Sequence, residues 1–152
     1  MHTMTVKTVE VRWSGEEPGE RLDQPQIAGQ FLASWLATMD SDQEHFGILA
    51  LDGRHRLIGL KVLSSGSHTQ CPVDGAKLYR AALAMEAQGV LIFHNHPSGD
   101  LDPSRDDLDL TRRLVIGGKM IGVTVHDHII IGLGRWLSLR SARAEIFDGG
   151  PS

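Results

Sequence analysis

A short apolar run near the middle of the chain constrains the fold more than any other feature. Residues 90–93 (Val-Leu-Ile-Phe) are continuously apolar, with Gly89 before them and His94 after them. An uninterrupted apolar strand of this kind is typical of a sheet that is covered on both faces. Because helical apolar spacing precedes and follows the run, the sequence predicts an α/β domain, with a mixed β-sheet flanked by helices.

Apolar periodicity and turn signals predict the neighbouring elements. The expected helices cover 25–39, 73–88 and a segment that opens at 103–107 and stops at Gly117-Gly118, and the expected core strands cover 44–51, 57–63, 90–93, 120–125, 129–131 and 136–139. Asp52-Gly53 is a strong signal for the turn between the first two core strands. Asp23 is expected to cap the first helix, and Gly89 to end the second.

The length of 152 residues suggests one domain, since domains average roughly 100–200 residues. We expect this domain to span 25–140. Residues 1–24 are interpreted as a weak edge strand (1–12) followed by a Gly/Glu/Pro-rich solvated linker, and 141–152 as a fraying tail. No apolar stretch of membrane-spanning length and no signal peptide is visible, so the expected setting is the cytoplasm, without a membrane partner.

Charge and cysteine content narrow the classes of function. The net charge is −4, from 15 basic and 19 acidic residues, so the chain carries no global electrostatic footprint for nucleic acid. The single cysteine, Cys71, excludes an intrachain disulfide and a multi-cysteine zinc site, and with it the signature of the zinc deaminases. A metal would therefore be held by nitrogen and oxygen ligands, for which the eight histidines are candidates.

Two of these histidines lie at the end of the central strand. His94 and His96 are two residues apart, so their rings project from the same side of a strand. The following loop returns Asp107, in the first turn of the next helix, towards them. Two imidazoles and a carboxylate with an open fourth position are typical of catalytic zinc, which lowers the pKa of its water towards about 7. Asp100 and Asp106 are alternative carboxylate ligands.

Ser104 and Asp107 also have a purely structural interpretation, because Ser-x-x-Asp is a helix-capping pattern. A hydrolytic site further needs a general base, and two glutamates are candidates. Glu44 opens a core strand, and Glu86 closes the helix beside His94. A solvated residue at the end of an element is the more common interpretation of either, and the residues alone leave the choice open.

The other histidines have less specific interpretations. His126 and His128 are also two residues apart, and we expect them in a turn around Asp127, with a second metal site as the less favoured alternative. Four more are expected at the surface or in turns: His2, His45, His55 and His68. Nothing around Cys71 suggests the partner of a nucleophile.

The segment from His94 to Asp107 resembles the signature of the RadC-like family, a branch of the JAB/MPN (JAMM) metalloprotease superfamily. The superfamily pattern is Glu…His-x-His-x7-Ser-x-x-Asp, and here seven residues separate His96 from Ser104. The resemblance extends from about Glu44 through Ile130. It implies the JAMM core, a mixed sheet flanked by helices that is similar to the fold of cytidine deaminases.

The resemblance also implies roles for individual residues. His94, His96 and Asp107 correspond to the zinc ligands, Glu44 to the general base, and Ser104 to the residue that stabilises the oxyanion. The implied activity is zinc-dependent cleavage of a peptide or isopeptide bond in an unidentified protein or peptide substrate. RadC proteins usually carry a helical region ahead of this domain, which we expect to be missing or reduced here.

Two rival functions use the same residues. One is a binding module in DNA repair or in a mobile element, with a structural or vestigial metal site. The other is a metal-dependent nuclease. Nucleic acid enters as a partner through the family name only, and the acidic charge weighs against it. The sequence leaves the oligomeric state open.

Overall fold

The protein is described by a computed structural model over residues 21–40, 42–66 and 74–148, and it is built around one five-stranded sheet. In chain order the elements are α1 (Pro25–Leu36), β1 (Glu44–Leu51), β2 (Leu57–Gly66), α2 (Gly75–Ala84), β3 (Gly89–Asn95), α3 (Arg105–Ile121), β4 (Thr124–Gly132), β5 (Arg135–Ser138), α4 (Leu139–Ala142) and a final 3-10 turn, Ala144–Ile146. The edge strand expected in 1–12, and also His2, His68 and Cys71, lie outside the described residues.

The sheet is mixed and has the order β2-β1-β3-β4-β5. β3 is antiparallel to β1 and parallel to β4, while β2 and β5 pair antiparallel at the two edges. All seven residues of β3 are buried, as expected of the central strand. This arrangement confirms the predicted α/β class with a mixed sheet between helices.

Alternation along β3 divides the core into two halves. Val90 and Ile92 pack on the face covered by α2 and α3, whereas Leu91 and Phe93 pack on the face covered by α1. Each such side chain stabilises the fold by about 1.5–3 kcal/mol through burial. The same alternation directs His94 to the face of α2 and α3.

The first two strands form the expected hairpin at Asp52. Its Oδ1 accepts hydrogen bonds from the backbone N–H groups of Arg54 (2.8 Å) and Arg56 (2.9 Å), which closes the loop. The connection covers residues 52–56, so it is longer than a two-residue turn. β2 continues to Gly66, beyond the expected end at residue 63.

Several predicted helix limits are wrong, among them the end of α1, which lies at Leu36 and not at residue 39. α1 is preceded by Gln24 at its N-cap position with no side-chain cap, while the expected cap Asp23 instead pairs with Arg21 at 3.0 Å. α2 ends at Ala84 with Met85 at its C-cap position, and Gly89 does not cap it but begins β3. A four-residue connection, 85–88, lies between them, in which Glu86 takes a positive φ of 55° and turns the chain.

α3 does not stop at Gly117-Gly118 but continues to Ile121 and ends at Gly122, which takes the left-handed conformation with φ 78°. Gly118 is needed for close packing: a Cβ there would lie 2.2 Å from the carbonyl oxygen of Val123. Met120 therefore belongs to the helix, and the two strands expected at 120–125 and 129–131 are one strand, β4.

The expected fraying tail is packed over its described part. Ile146 and Phe147 are 2% and 4% exposed, and they join the core on the face of α3. At the other end Leu22, expected in a solvated linker, is 3% exposed and packs with the residues of α1. Local composition misled both expectations, since a few apolar side chains suffice to dock a polar segment.

Within the described ranges, no helix is long and apolar enough to cross a membrane.

Candidate metal centre

The histidines at the end of β3 meet at one point. The Nε2 atoms of His94 and His96 are 2.7 Å apart. Asp107 Oδ2 lies 3.6 Å from His94 Nε2 and 3.7 Å from His96 Nε2. Glu44 joins the two histidines in a group whose potential ligand atoms all lie within 4.8 Å of one another. The fold thus brings together four of the residues predicted from the sequence.

Strand register explains the position of Glu44. Phe46 in β1 pairs with His94 in β3 in an antiparallel register. β1 begins two residues before Phe46, at Glu44, and His96 follows the end of β3, so continuing this register and its alternation brings Glu44 and His96 to the same face. The candidate base is therefore placed by the pairing of the two central strands.

The first turn of α3 holds Asp107 and Ser104 in a reciprocal capping box. Ser104 Oγ accepts from the backbone N–H of Asp107 at 3.0 Å, and Asp107 Oδ2 accepts from the N–H of Ser104 at 2.8 Å. The capping interpretation of this pair is thus correct, but the same Asp107 oxygen also faces both histidines. The cap uses the oxygen of Ser104 as an acceptor, which leaves its exposed hydroxyl hydrogen available to another group.

The geometry separates these residues from the alternatives. Asp100 Oδ1 accepts from the backbone N–H of Asp102 at 3.0 Å and so closes its own loop. Asp106 is exposed on the first turn of α3. Glu86, expected beside His94, is exposed at the opposite end of β3, because it precedes the start of that strand. The expectation for Glu86 was wrong, since strand length separates it from the cluster.

The donor set fits a divalent cation. His96 Nδ1 lies 2.5 Å from the carbonyl oxygen of Asp100, which only accepts, so this nitrogen carries a proton, and in the neutral ring Nε2 keeps a lone pair. That lone pair points at His94 Nε2, and the carboxylates of Asp107 and Glu44 stand beside it. Such a convergence of acceptors is stable only around a proton or a cation, and imidazole with carboxylate is a common ligand set for transition metals.

Charge interactions within the cluster also favour the ionised form of Asp107, which is the form that binds a metal. Burial of Asp107 raises the pKa of its carboxyl group, but its interactions with the His94 and His96 rings in their charged, doubly protonated form outweigh burial and hold that pKa well below its usual value. The hydrogen bond with Asp107 raises the pKa of His96 above its ordinary value. Asp107 is therefore ionised near neutral pH, the state in which a carboxylate binds a metal.

The sequence did not predict the neighbour of His94 in β4. His128 lies in the strand, not in a turn, and its Nε2 is 2.7 Å from His94 Nδ1. His126 does not share this environment, because the register shifts at this point of β4, and its ring instead packs against His55 with centroids 4.5 Å apart. The one signal for His128 was its place two residues before Ile130 on the same alternating face as His94.

Asn95 and His45 are further buried polar residues near the site. Asn95 Oδ1 accepts from the backbone N–H of His45 at 2.6 Å, and its Nδ2 donates to the carbonyl oxygen of Gln43 at 2.8 Å. Since these two peptide groups flank Glu44, Asn95 fixes the backbone of the candidate base. His45, expected at the surface, is 3% exposed, and its ring nitrogens lie 2.7 Å from Ser65 Oγ and from the carbonyl oxygen of Asp40.

Comparison with known proteins places this geometry in a family. The family model described as RadC-like JAB domain matches residues 22–144. A UPF0758 protein of Thermosynechococcus vestitus is 41% identical over 128 residues, which is 81% of this chain and 49% of the relative. For a UPF0758 protein of Acaryochloris marina the values are 40% over 119 residues, 78% and 48%. For one of Methanosarcina mazei they are 36% over 125 residues, 82% and 54%.

The chain spans about half the length of the curated relatives it matches. The matched range includes the whole sheet and the five predicted site residues, from Glu44 to Asp107. The resemblance inferred from the motif is confirmed by both the family model and the relatives. The chain belongs to the family of RadC-like JAB domains.

Proposed function

We propose that this protein is a zinc-dependent metallohydrolase that cleaves a peptide or isopeptide bond in a protein or peptide substrate. The observation that carries the proposal is the convergence of His94 Nε2 and His96 Nε2, 2.7 Å apart, with Asp107 Oδ2 and beside Glu44. Two imidazoles and a carboxylate are the ligand set typical of catalytic zinc. The names of the relatives state no activity, so the proposal depends on the site and on the JAB family.

The residues divide into holding and reacting groups. His94, His96 and Asp107 would hold the ion, and the chemistry that zinc supplies when bound is Lewis-acid activation of water and of the substrate carbonyl. Glu44 accepts the proton of the attacking water and returns it to the leaving amine, which is the role of a general base that then acts as an acid. The hydroxyl hydrogen of Ser104 is donated to the oxyanion that develops on the carbonyl.

Metal analysis of the purified protein tests the class of site. We expect about one zinc per chain, since three protein ligands converge on one point. His94→Ala and His96→Ala should each lose the metal, while the control His126→Ala, outside the cluster, should retain it. Absence of bound metal at neutral pH, or equal retention by all three variants, would overturn the proposal.

A hydrolysis assay tests the reaction itself. Fluorogenic peptides and a lysine-linked isopeptide would be incubated with the zinc-loaded protein, with the His96→Ala variant as the inactive control. The expected result is cleavage that the variant lacks. Retention of zinc with no cleavage of either class, together with salt-dependent DNA binding, would favour the binding-module alternative. Zinc-dependent cutting of plasmid DNA would favour the nuclease.

A further inference from the structure

Behind the candidate ligands lies a buried chain of polar side chains that the proposed reaction does not use. His94 Nδ1 is 2.7 Å from His128 Nε2, and His128 Nδ1 is 2.6 Å from Thr111 Oγ1. Thr111 Oγ1 is in turn 2.6 Å from the carbonyl oxygen of Asp107. The chain therefore begins at one candidate ligand and ends at the backbone of another, linking β3, β4 and α3.

The positions of the protons follow from what each group is able to donate. The Asp107 carbonyl only accepts, so the single hydroxyl hydrogen of Thr111 lies between the two oxygens. Thr111 Oγ1 then accepts from Nδ1–H of His128, whose Nε2 keeps a lone pair. His94 must donate to that lone pair through Nδ1–H, which in the neutral ring leaves its own Nε2 without a proton.

Burial makes this order of donors and acceptors hard to replace. Thr111 and His128 are both 0% exposed, and His94 is 2% exposed. The ring of Phe46 packs against the two imidazoles, with centroid distances of 6.1 Å to His94 and 6.0 Å to His128. Solvent therefore does not offer His94 Nδ1 another partner, and a missing acceptor would leave a buried donor unpaired.

We propose that His128 and Thr111 are positioning residues that hold His94 in the one tautomer able to bind a metal through Nε2. Thr111 also couples this tautomer to the first turn of α3, where Asp107 is held. The proposal depends on the metal site of the proposed function. A partner on the distal nitrogen of a ligand histidine fixes the ring and typically contributes 10–100-fold to metal affinity.

We call the hydrogen-bonded chain from His94 through His128 and Thr111 to the Asp107 carbonyl the relay. Matched variants of Thr111 test this relay with little change in side-chain volume. Thr111→Val removes the hydroxyl and keeps the shape, whereas Thr111→Ser keeps the hydroxyl. We expect zinc affinity, measured by competition with a chelator, to fall about 10-fold or more in Thr111→Val and to be largely retained in Thr111→Ser. His128→Leu should weaken binding further, and His128→Gln, whose side-chain oxygen accepts, should restore part of it. His126→Leu is the control for loss of a histidine from the same strand.

Nitrogen NMR of the imidazoles in the metal-free protein supplies a readout that does not depend on zinc. In the unchanged protein we expect His94 to carry its proton on Nδ1, and in Thr111→Val to show a mixture of tautomers. Equal zinc affinity and the same His94 tautomer in Thr111→Val and Thr111→Ser would overturn the relay. Absence of zinc binding by the unchanged protein with the expected tautomer would overturn the proposed function and leave the relay standing.

Discussion

At the scale of single residues, the site depends on which oxygen and nitrogen atoms still have a free lone pair. His96 Nδ1–H donates to the carbonyl oxygen of Asp100. Asp107 Oδ2 accepts from the backbone N–H of Ser104 in the cap of α3 and also faces the two histidines. Glu44 has a different position, because it approaches from β1 and has no part in the capping box. Because the carboxylate of Glu44 lies close enough to His94 and His96 to bind the same ion, only substitution separates a reacting group from a ligand.

Changing Glu44 to glutamine separates these two roles. Glu44→Gln keeps the shape but removes the ability to accept a proton, so we expect turnover to fall by about 100-fold or more while zinc stays bound. Metal content and peptidase rate are the measurements, and Glu86→Gln, exposed at the other end of β3, is the matched control. Loss of zinc from Glu44→Gln would instead make Glu44 a ligand.

Asn95 should contribute to stability out of proportion to its size. Asn95→Ala leaves the buried N–H of His45 and the carbonyl oxygen of Gln43 without their partner, which should lower the free energy of unfolding by about 1–3 kcal/mol. Urea unfolding measures the change. Gln43→Ala is the control, because only the backbone of this exposed residue is used, and its stability should be nearly unchanged. An equal loss in both variants would argue against the side-chain clamp.

At the scale of elements, His126 and His128 are only two residues apart in β4 but lie in different environments. The register shift places His128 on the site and leaves His126 beside His55 and Arg140. Gly118 in α3 has a comparable effect, since its missing Cβ lets the helix approach Val123 and continue past the pair of glycines. Neither effect is visible in local periodicity, because each depends on a neighbour from another element.

The environment of His126 predicts a pH dependence of stability. Burial, with the nearby charges of His55 and Arg140, lowers the pKa of His126 from 6.5 to about 4. The unfolded chain therefore binds a proton in this range that the folded state does not, so stability falls as the pH decreases from about 6.5 to about 4. Urea unfolding of the metal-free protein should show a shallower decline for His126→Gln. Parallel curves for the two proteins would contradict this prediction.

At the scale of the whole molecule, the packed unit reaches beyond the expected domain limits at both ends. Leu22 covers the α1 face of the sheet, and Phe147 covers the opposite face with α3. These two residues therefore add to separate halves of the core. The described residues between Leu22 and Phe147 thus supply two core halves, one on each face of the sheet that carries the candidate ligands.

Truncation of Phe147 tests this larger unit. Phe147 is 4% exposed, so Phe147→Ala should lower the free energy of unfolding by about 3–5 kcal/mol through lost burial and the cavity left behind. The denaturation midpoint is the measurement. Leu83→Ala, at a side chain that is 52% exposed, is the control and should change little. A loss no greater than that of the control would mean that this end does not contribute to the core.

Local patterns by themselves determined the elements with strong internal signals. The continuous apolar run 90–93 predicted the central strand, the two-residue period placed His94 and His96 on one side, and Ser-x-x-Asp predicted the cap that holds Asp107. These features depend on residues that are close in sequence, so their geometry follows from the backbone repeat. The family motif added Glu44, which local reasoning left equal to Glu86.

Only the tertiary structure decided which distant groups meet. The pairing of β1 with β3 brings Glu44 to the histidines, and the parallel pairing of β3 with β4 brings His128 to His94 across 34 positions of sequence. Strand order and register arise from burial summed over the whole sheet, which no local segment encodes. The sequence therefore determined the candidate ligand residues, and the assembled sheet decided what surrounds them.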